Sequence, residues 1–128
     1  MTRFFKKLIF AFLCLVISAK ASTIHFIVID GFADYKASIG GGHYELRKAD
    51  YYSDGNNNYR LLLDFVKNHN QTITISQEEE LFVDVINPRQ IKVKTDLRNY
   101  FFTLEDSRNT IKLQTQKGFI TLGVEVSQ

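Results

Sequence analysis

Three glycines followed by a histidine and a glutamate form the stretch of this sequence that most suggests chemistry. Gly40 to Gly42 precede His43, and Glu45 follows two residues later. In an extended strand His43 and Glu45 would point to the same face, so that the carboxylate could orient the imidazole as a general base. A small secreted hydrolase or lyase that uses His43 with Glu45, Asp50 or Asp54 is therefore one interpretation.

Other features of the sequence weigh against a catalytic centre. The glycines are not followed by the Lys-Ser/Thr pair of a phosphate-binding loop, so a flexible turn is their simplest interpretation. No G-x-S-x-G nucleophile motif occurs. His25, His43 and His69 are too widely spaced for a typical zinc site. We expect no catalytic residues, no bound metal and no cofactor.

A calcium loop is an alternative function for residues 54–58. Asp54 and the asparagines after it place oxygen atoms at alternate positions, as at the start of an EF-hand. Tyr59 and Phe65, however, stand where that motif requires glycine and glutamate. A polar turn is the favoured interpretation, and a weak calcium site made of loop oxygens is the alternative.

The aromatic content of the same region indicates recognition. Five of the six tyrosines lie between residues 35 and 59, interleaved with Gly, Asn, Ser and Asp. This composition is typical of adaptable binding surfaces, where tyrosine offers contact area at low entropic cost. We therefore expect residues 38–58 to form a recognition loop. The predicted binding residues are Tyr35, His43, Tyr44, Tyr51, Tyr52 and Asn56.

The N-terminus has the layout of a secretory signal peptide. Basic residues precede an apolar run over 8–17, and Ala19-Lys20-Ala21 is a small-x-small cleavage pattern. The apolar run is shorter than the roughly 20 residues of a membrane span. We expect residues 1–21 to be a cleaved signal and residues 22–128 to be a single secreted or periplasmic domain with no stable membrane span.

Cleavage would change the charge of the protein. Four of the 16 basic residues lie in the signal and none of the 14 acidic ones, so the remaining chain has 12 basic and 14 acidic residues, a net charge of −2. It has no basic stripe, which argues against nucleic-acid binding. It also has no cysteine, because Cys14 lies in the signal, and a small exported domain without disulfides favours a bacterial periplasm or surface.

The secondary-structure pattern changes along the chain. Residues 23–30 are apolar on both faces and predict a buried strand; residues 43–52 have a poor strand pattern. Apolar residues at 59, 62, 63 and 66 have helical spacing and predict an α-helix from Asn58 to His69. Residues 77–80, Gln-Glu-Glu-Glu, predict a solvated turn.

Six short strands are predicted from Thr72 onward, because apolar residues alternate with polar ones and turn signals recur at even spacing. The connections are too short for crossover helices. The predicted fold is mainly β: a small antiparallel β-sandwich or partly open barrel, made of this meander and the N-terminal strand, with one packed α-helix.

The favoured function is non-enzymatic protein–protein binding outside the cytoplasm. Roles consistent with it are an accessory of an envelope, secretion or appendage assembly, or an inhibitor or immunity protein. The alternatives are the hydrolase or lyase based on His43, and a carbohydrate-binding module that uses the tyrosine-rich loop. The sequence gives no indication of the oligomeric state.

Overall fold

A computed structural model describes residues 25–53, 55–69 and 73–127. The predicted signal peptide, residues 1–21, lies outside these ranges. The described part contains eight strands and one short 3-10 helix. In chain order they are β1 (His25–Tyr35), the 3-10 helix (Ala37–Ile39), β2 (Gly42–Ser53), β3 (Asn58–His69), β4 (Ile73–Asn87), β5 (Gln90–Lys94), β6 (Asn99–Thr103), β7 (Asn109–Gln114) and β8 (Gly118–Ser127).

The strands form one antiparallel sheet in the order β6-β5-β4-β3-β2-β1-β8-β7. Strands that follow one another in sequence are neighbours except for β6 and β7, and β8 returns to pair with β1. The sheet therefore curls into a nearly closed, barrel-like shape. Its seam lies between β6 and β7 and not between the two ends of the chain.

Side-chain hydrogen bonds join the two edges at this seam. The Tyr100 hydroxyl accepts from the Gln114 N–H at 2.8 Å, and the Thr95 hydroxyl donates to the Gln114 carbonyl at 2.9 Å. Asp96 Oδ1 accepts from the Gln116 N–H at 2.9 Å. Main-chain groups of β7 and of the turn after it are thus paired on the seam side, where no strand of the sheet lies beside β7, which avoids the cost of unsatisfied backbone groups.

The interior of the sheet is a packed apolar core. Every second residue of a strand points inward, because successive side chains in a strand point to opposite faces. At one end the rings of Tyr35 and Tyr44 meet edge to face with centroids 5.0 Å apart, and Phe65 lies 6.4 Å from Tyr35. The other buried apolar side chains are Phe26, Ala33, Leu61, Leu63, Leu81, Val83, Val85, Ile91, Val93, Leu104, Ile111, Leu113, Ile120, Leu122 and Val124.

The predicted helix from Asn58 to His69 is wrong, because this segment is strand β3. Each of its twelve residues is paired with a residue of β4, and most are also paired with β2. Leu61, Leu63 and Phe65 are buried, whereas Leu62 and Val66 are only partly covered. A run with large apolar residues at both odd and even positions matches the helical period and the strand period alike. The two neighbouring strands decide the outcome, since they supply hydrogen bonds on both sides.

The predicted turn at residues 77–80 is also wrong. These residues lie in the middle of β4, which runs without a break from Ile73 to Asn87. Glu79 points inward and is 6% exposed. The inward alternation of Glu79 with Leu81, Val83 and Val85 shows that one acidic residue occupies a core position. A local run of charge was therefore a poor guide to exposure here.

Most of the predicted recognition loop, residues 38–58, is strand. Strand β2 covers Gly42–Ser53, and a short turn leads from it to β3. β2 pairs with β1 only from Phe32 to Tyr35; before Phe32 the two strands separate. At this opening the Tyr51 hydroxyl accepts from the Val28 N–H at 2.7 Å and bridges the gap.

The mainly β, antiparallel fold that the sequence predicts is confirmed, without the packed helix. In the ranges that the structure describes, no helix is long and apolar enough to cross a membrane.

Candidate functional site

Four of the exposed large apolar side chains lie on the outer surface of strands β2 to β6: Tyr52, Phe82, Ile86 and Phe101. Tyr52, Arg60, Phe82 and Lys94 are paired across four successive strands, so they form one row on the same face. The guanidinium carbon of Arg60 lies 4.8 Å from the centroid of the Tyr52 ring, and its Nη1 lies 2.9 Å from Glu80 Oε2. A cation–π contact and an ion pair therefore hold Arg60 in place.

A second row lies beside the first. Asp84, Lys92 and Phe101 are paired across β4, β5 and β6. Ile86, near the end of β4, is 55% exposed, and Phe101 is 69% exposed. We call the seven residues that contribute apolar or basic groups to this surface the aromatic face. They are Tyr52, Arg60, Phe82, Ile86, Lys92, Lys94 and Phe101.

The aromatic face is uneven and carries unpaired positive charge. A depression of about 240 Å³ lies among Tyr52, Arg60 and Phe82, and one of about 120 Å³ lies between Ile86 and Phe101. Among the described residues, neither Lys92 nor Lys94 forms an ion pair. Tyr, Phe and Arg are among the residue types enriched in protein interfaces, and Tyr and Arg are also enriched in their energetic hot spots.

The structure separates the residues that the sequence grouped as one binding loop. Tyr35 and Tyr44 are core residues, and their hydroxyls donate to Glu79 Oε2 at 2.8 Å and to the Gly40 carbonyl at 2.9 Å. Asn56 is exposed in the turn between β2 and β3. Of the predicted binding tyrosines, only Tyr52 lies on the aromatic face. Tyr35 and Tyr44 are buried whereas Tyr52 is exposed, because consecutive positions in a strand alternate between core and surface.

Tyr51 and His43 lie elsewhere on the sheet. Tyr51 is 39% exposed, and it sits at the opening between β1 and β2 with its hydroxyl on Val28. Burial of its ring raises the pKa of the Tyr51 hydroxyl. His43 lies on the outer surface of the β1–β2 pair, directly opposite Asp34 on the neighbouring strand.

The imidazole of His43 is held by carboxylates on both sides. Nδ1 lies 2.8 Å from Asp34 Oδ1, and Nε2 lies 2.5 Å from Glu45 Oε2. The Phe32 ring lies beside it, with centroids 5.0 Å apart. Hydrogen bonds to Asp34 and then to Glu45 raise the pKa of His43 above its usual 6.5, because each carboxylate favours the imidazolium.

This geometry fits a cross-link between strands better than a general base. The sequence placed His43 and Glu45 on one face, and the structure brings them together. A protonated imidazole that donates from both nitrogens has no lone pair with which to accept a substrate proton. Asp34 and Glu45 together favour that protonated form.

A buried polar cluster at the end of the core was not found from the sequence. The Glu79 carboxylate accepts from the Tyr35 hydroxyl, and Lys117 Nζ lies 3.4 Å from Glu79 Oε2. The same ammonium group donates to the Glu78 carbonyl at 3.0 Å and to Gln77 Oε1 at 3.3 Å. The three donors of Lys117 thus face three oxygen atoms of β4.

Burial shifts the protonation of this cluster. Burial raises the pKa of Glu79 above its usual 4.5, and the Tyr35 hydroxyl and Lys117 oppose that shift only in part. Burial and the hydrogen bond to Glu79 raise the pKa of Tyr35. The cluster borders a cleft of about 320 Å³ whose walls include Phe82, Lys94 and Asp96. The one sequence signal for it was the alternation of Glu79 with inward apolar residues.

No three histidine, aspartate or glutamate side chains in the described ranges are arranged to hold a metal ion. Asp54, which the calcium alternative requires, lies outside those ranges. Comparison with known proteins gives no class for the site: no family model matches the chain, and no curated protein or solved structure is significantly similar to it.

Proposed function

We propose that this protein acts by binding another protein through the aromatic face. The observation that carries the proposal is the pair of rows across β2 to β6, where exposed Tyr52, Phe82 and Phe101 alternate with basic side chains. Contiguous apolar groups on a surface usually mark an interaction site, whereas single ones do not. The backbone that carries these side chains is a continuous sheet, so binding does not have to order a loop.

The chemistry of the face defines the partner. Phe82, Ile86 and Phe101 require apolar groups opposite them, and Lys92 and Lys94 require carboxylates at the same interface. We propose a partner surface in which apolar side chains are flanked by Asp or Glu. The signal-like N-terminus supports a partner in the periplasm, at the cell surface or in the medium.

Two structural features support a non-enzymatic role. The ring nitrogens of His43 both face carboxylates, and the ammonium of Lys117 faces three acceptors. These groups are engaged with the protein itself, whereas a catalytic acid or base must be able to exchange a proton with a substrate.

Site-specific photo-crosslinking would identify the partner. A benzophenone amino acid is placed at Phe101 in the protein as the native host exports it, and the crosslinked protein is identified by mass spectrometry. With the partner purified, we expect the double substitution Phe82→Ala and Phe101→Ala to weaken binding by about 30-fold or more, as for interface hot spots.

Phe119 provides a matched control. It is 57% exposed and lies on β8 opposite Asp34, away from the aromatic face. Phe119→Ala should leave the affinity within about twofold of wild type. If Phe119→Ala weakens binding as much as the double substitution, the aromatic face is not the binding surface. If His43→Ala alone abolishes the biological effect while binding is intact, the catalytic alternative is favoured.

A further inference from the structure

Strand β4 is longer than β5, its neighbour on one side, and extends beyond it. On one side its residues from Ile73 to Asp84 pair with β3. On the other side the pairing with β5 begins only at Phe82. Within the described ranges, residues 73–81 therefore have a neighbouring strand on one side only.

The main chain of alternate residues faces this free side. In an antiparallel strand, the N–H and C=O groups of successive residues point to opposite neighbours. The Glu78 carbonyl accepts from Lys117, which lies on the free side, so the even-numbered residues point there. Thr74 and Ser76 consequently direct their N–H and C=O groups away from β3, toward the side that no described strand covers.

The first part of this edge, residues 73–77, lacks the usual protection against pairing. Exposed edges in soluble proteins are commonly blocked by charged side chains, proline or a β-bulge. Residues 73–77 read Ile-Thr-Ile-Ser-Gln, with no charge and no proline, and their pairing with β3 shows no register shift. Ile75 is 37% exposed.

We propose that a second copy of this chain covers the edge by antiparallel pairing of β4 with β4, about a two-fold axis at Ile75. Thr74 would then exchange both main-chain hydrogen bonds with the partner's Ser76, and Ser76 with the partner's Thr74. Ile75 would face its symmetry mate at the close, non-hydrogen-bonded position. A two-fold interface must be self-complementary. This segment meets that requirement, because it has no charge that would repel its own copy.

Charge and shape both favour a second copy as the occupant. With the axis at Ile75, Glu78 and Glu80 fall beyond the paired residues, so no acidic side chain lies opposite another. The paired residues lie at the N-terminal end of β4, and the rest of the barrel-like sheet lies toward its C-terminal end. Antiparallel pairing of β4 with β4 (the joint) therefore places the two barrel-like bodies at opposite ends of the paired segment. Strands β3 and β4 of the two copies then form a continuous four-stranded sheet, and the aromatic face of each copy is outside the joint.

The test is a charge exchange across the proposed axis. One variant carries Thr74→Lys and Ser76→Lys, and the other carries Thr74→Glu and Ser76→Glu. Each pairs like charges in its own dimer, which is destabilising, but opposite charges in a mixed dimer. Sedimentation velocity over protein concentrations from micromolar to millimolar should show wild type shifting from one chain to two. Each variant alone should remain at one chain, and their equimolar mixture should return to two.

Two controls keep the result interpretable. Ser76→Ala retains the N–H and should dimerise like wild type, and far-UV circular dichroism must show that the variants are folded. A wild type that stays monomeric throughout, or a lysine variant that dimerises as well as wild type, overturns the proposal. A monomer whose Thr74 and Ser76 amides exchange slowly with solvent also overturns it, because another part of the same chain would then cover the edge.

Discussion

Replacing Lys117 by methionine removes the charge that compensates a buried carboxylate while keeping most of the volume of the side chain. The Glu79 side chain is only 5% exposed, and the Tyr35 hydroxyl would be its one remaining hydrogen-bond donor among the contacts described above. The substitution also leaves the Glu78 carbonyl without its donor on the free side of β4.

The expected loss of stability is large and depends on pH. Removing one partner of a buried ion pair typically costs 3–5 kcal/mol, and we expect about 3 kcal/mol at pH 8 because Lys117 is itself 32% exposed. The folded pKa of Glu79 is already raised above 4.5, and the loss of Lys117 would raise it further. The stability that a raised carboxyl pKa contributes is complete below pH 4.5 and is lost as pH rises through the folded pKa. The deficit of the variant should therefore be smaller at pH 5 than at pH 8.

Urea denaturation followed by circular dichroism at both pH values measures this effect. Lys112→Met is the matched control, because Lys112 is an exposed lysine on β7 and its loss should change the free energy of unfolding by less than about 0.5 kcal/mol. Glu79→Gln in the Lys117→Met background should recover part of the stability at pH 8. If Lys117→Met is as stable as Lys112→Met at pH 8, or if its deficit is the same at both pH values, Lys117 does not compensate the charge of Glu79.

Three further predictions concern the strands. Leu63→Ala should cost about 2–5 kcal/mol because Leu63 is 1% exposed, and Leu62→Ala should cost clearly less; equal urea-midpoint shifts would contradict the alternation in β3. The carboxylates around His43 should stabilise wild type relative to His43→Gln. This stabilisation should be complete below pH 6.5 and should be lost as pH rises through the raised folded pKa of His43. Urea midpoints of the two proteins that differ equally at pH 6 and pH 9 would exclude this contribution. Tyr51→Phe removes the acceptor of the Val28 N–H, so hydrogen exchange of that amide should accelerate by about tenfold; an unchanged rate would mean that the hydroxyl does not bridge the opening.

The predicted elements held where the sequence has one clear period. From Ile91 to Val124 apolar and polar residues alternate, turn residues separate the strands, and the structure has its strands there. The prediction failed where two periods overlap, as in β3, and where charge interrupts a strand, as at Glu78 to Glu80. In both segments the main-chain hydrogen bonds are made with neighbouring strands, so the pattern within the segment itself could not show them.

The sequence by itself determined that the described part of this chain is β-rich, and it shows an export-like N-terminus and five tyrosines between residues 35 and 59. Only the tertiary structure decided which of those tyrosines are accessible, because the strand register places Tyr44 in the core and Tyr52 on the surface. The aromatic face is likewise a product of register. Tyr52, Phe82 and Phe101 are far apart in sequence, and pairing across β2 to β6 brings their rows together. Within the described ranges the same pairing leaves residues 73–81 of β4 without a strand on one side, since β5 ends at Lys94, opposite Phe82.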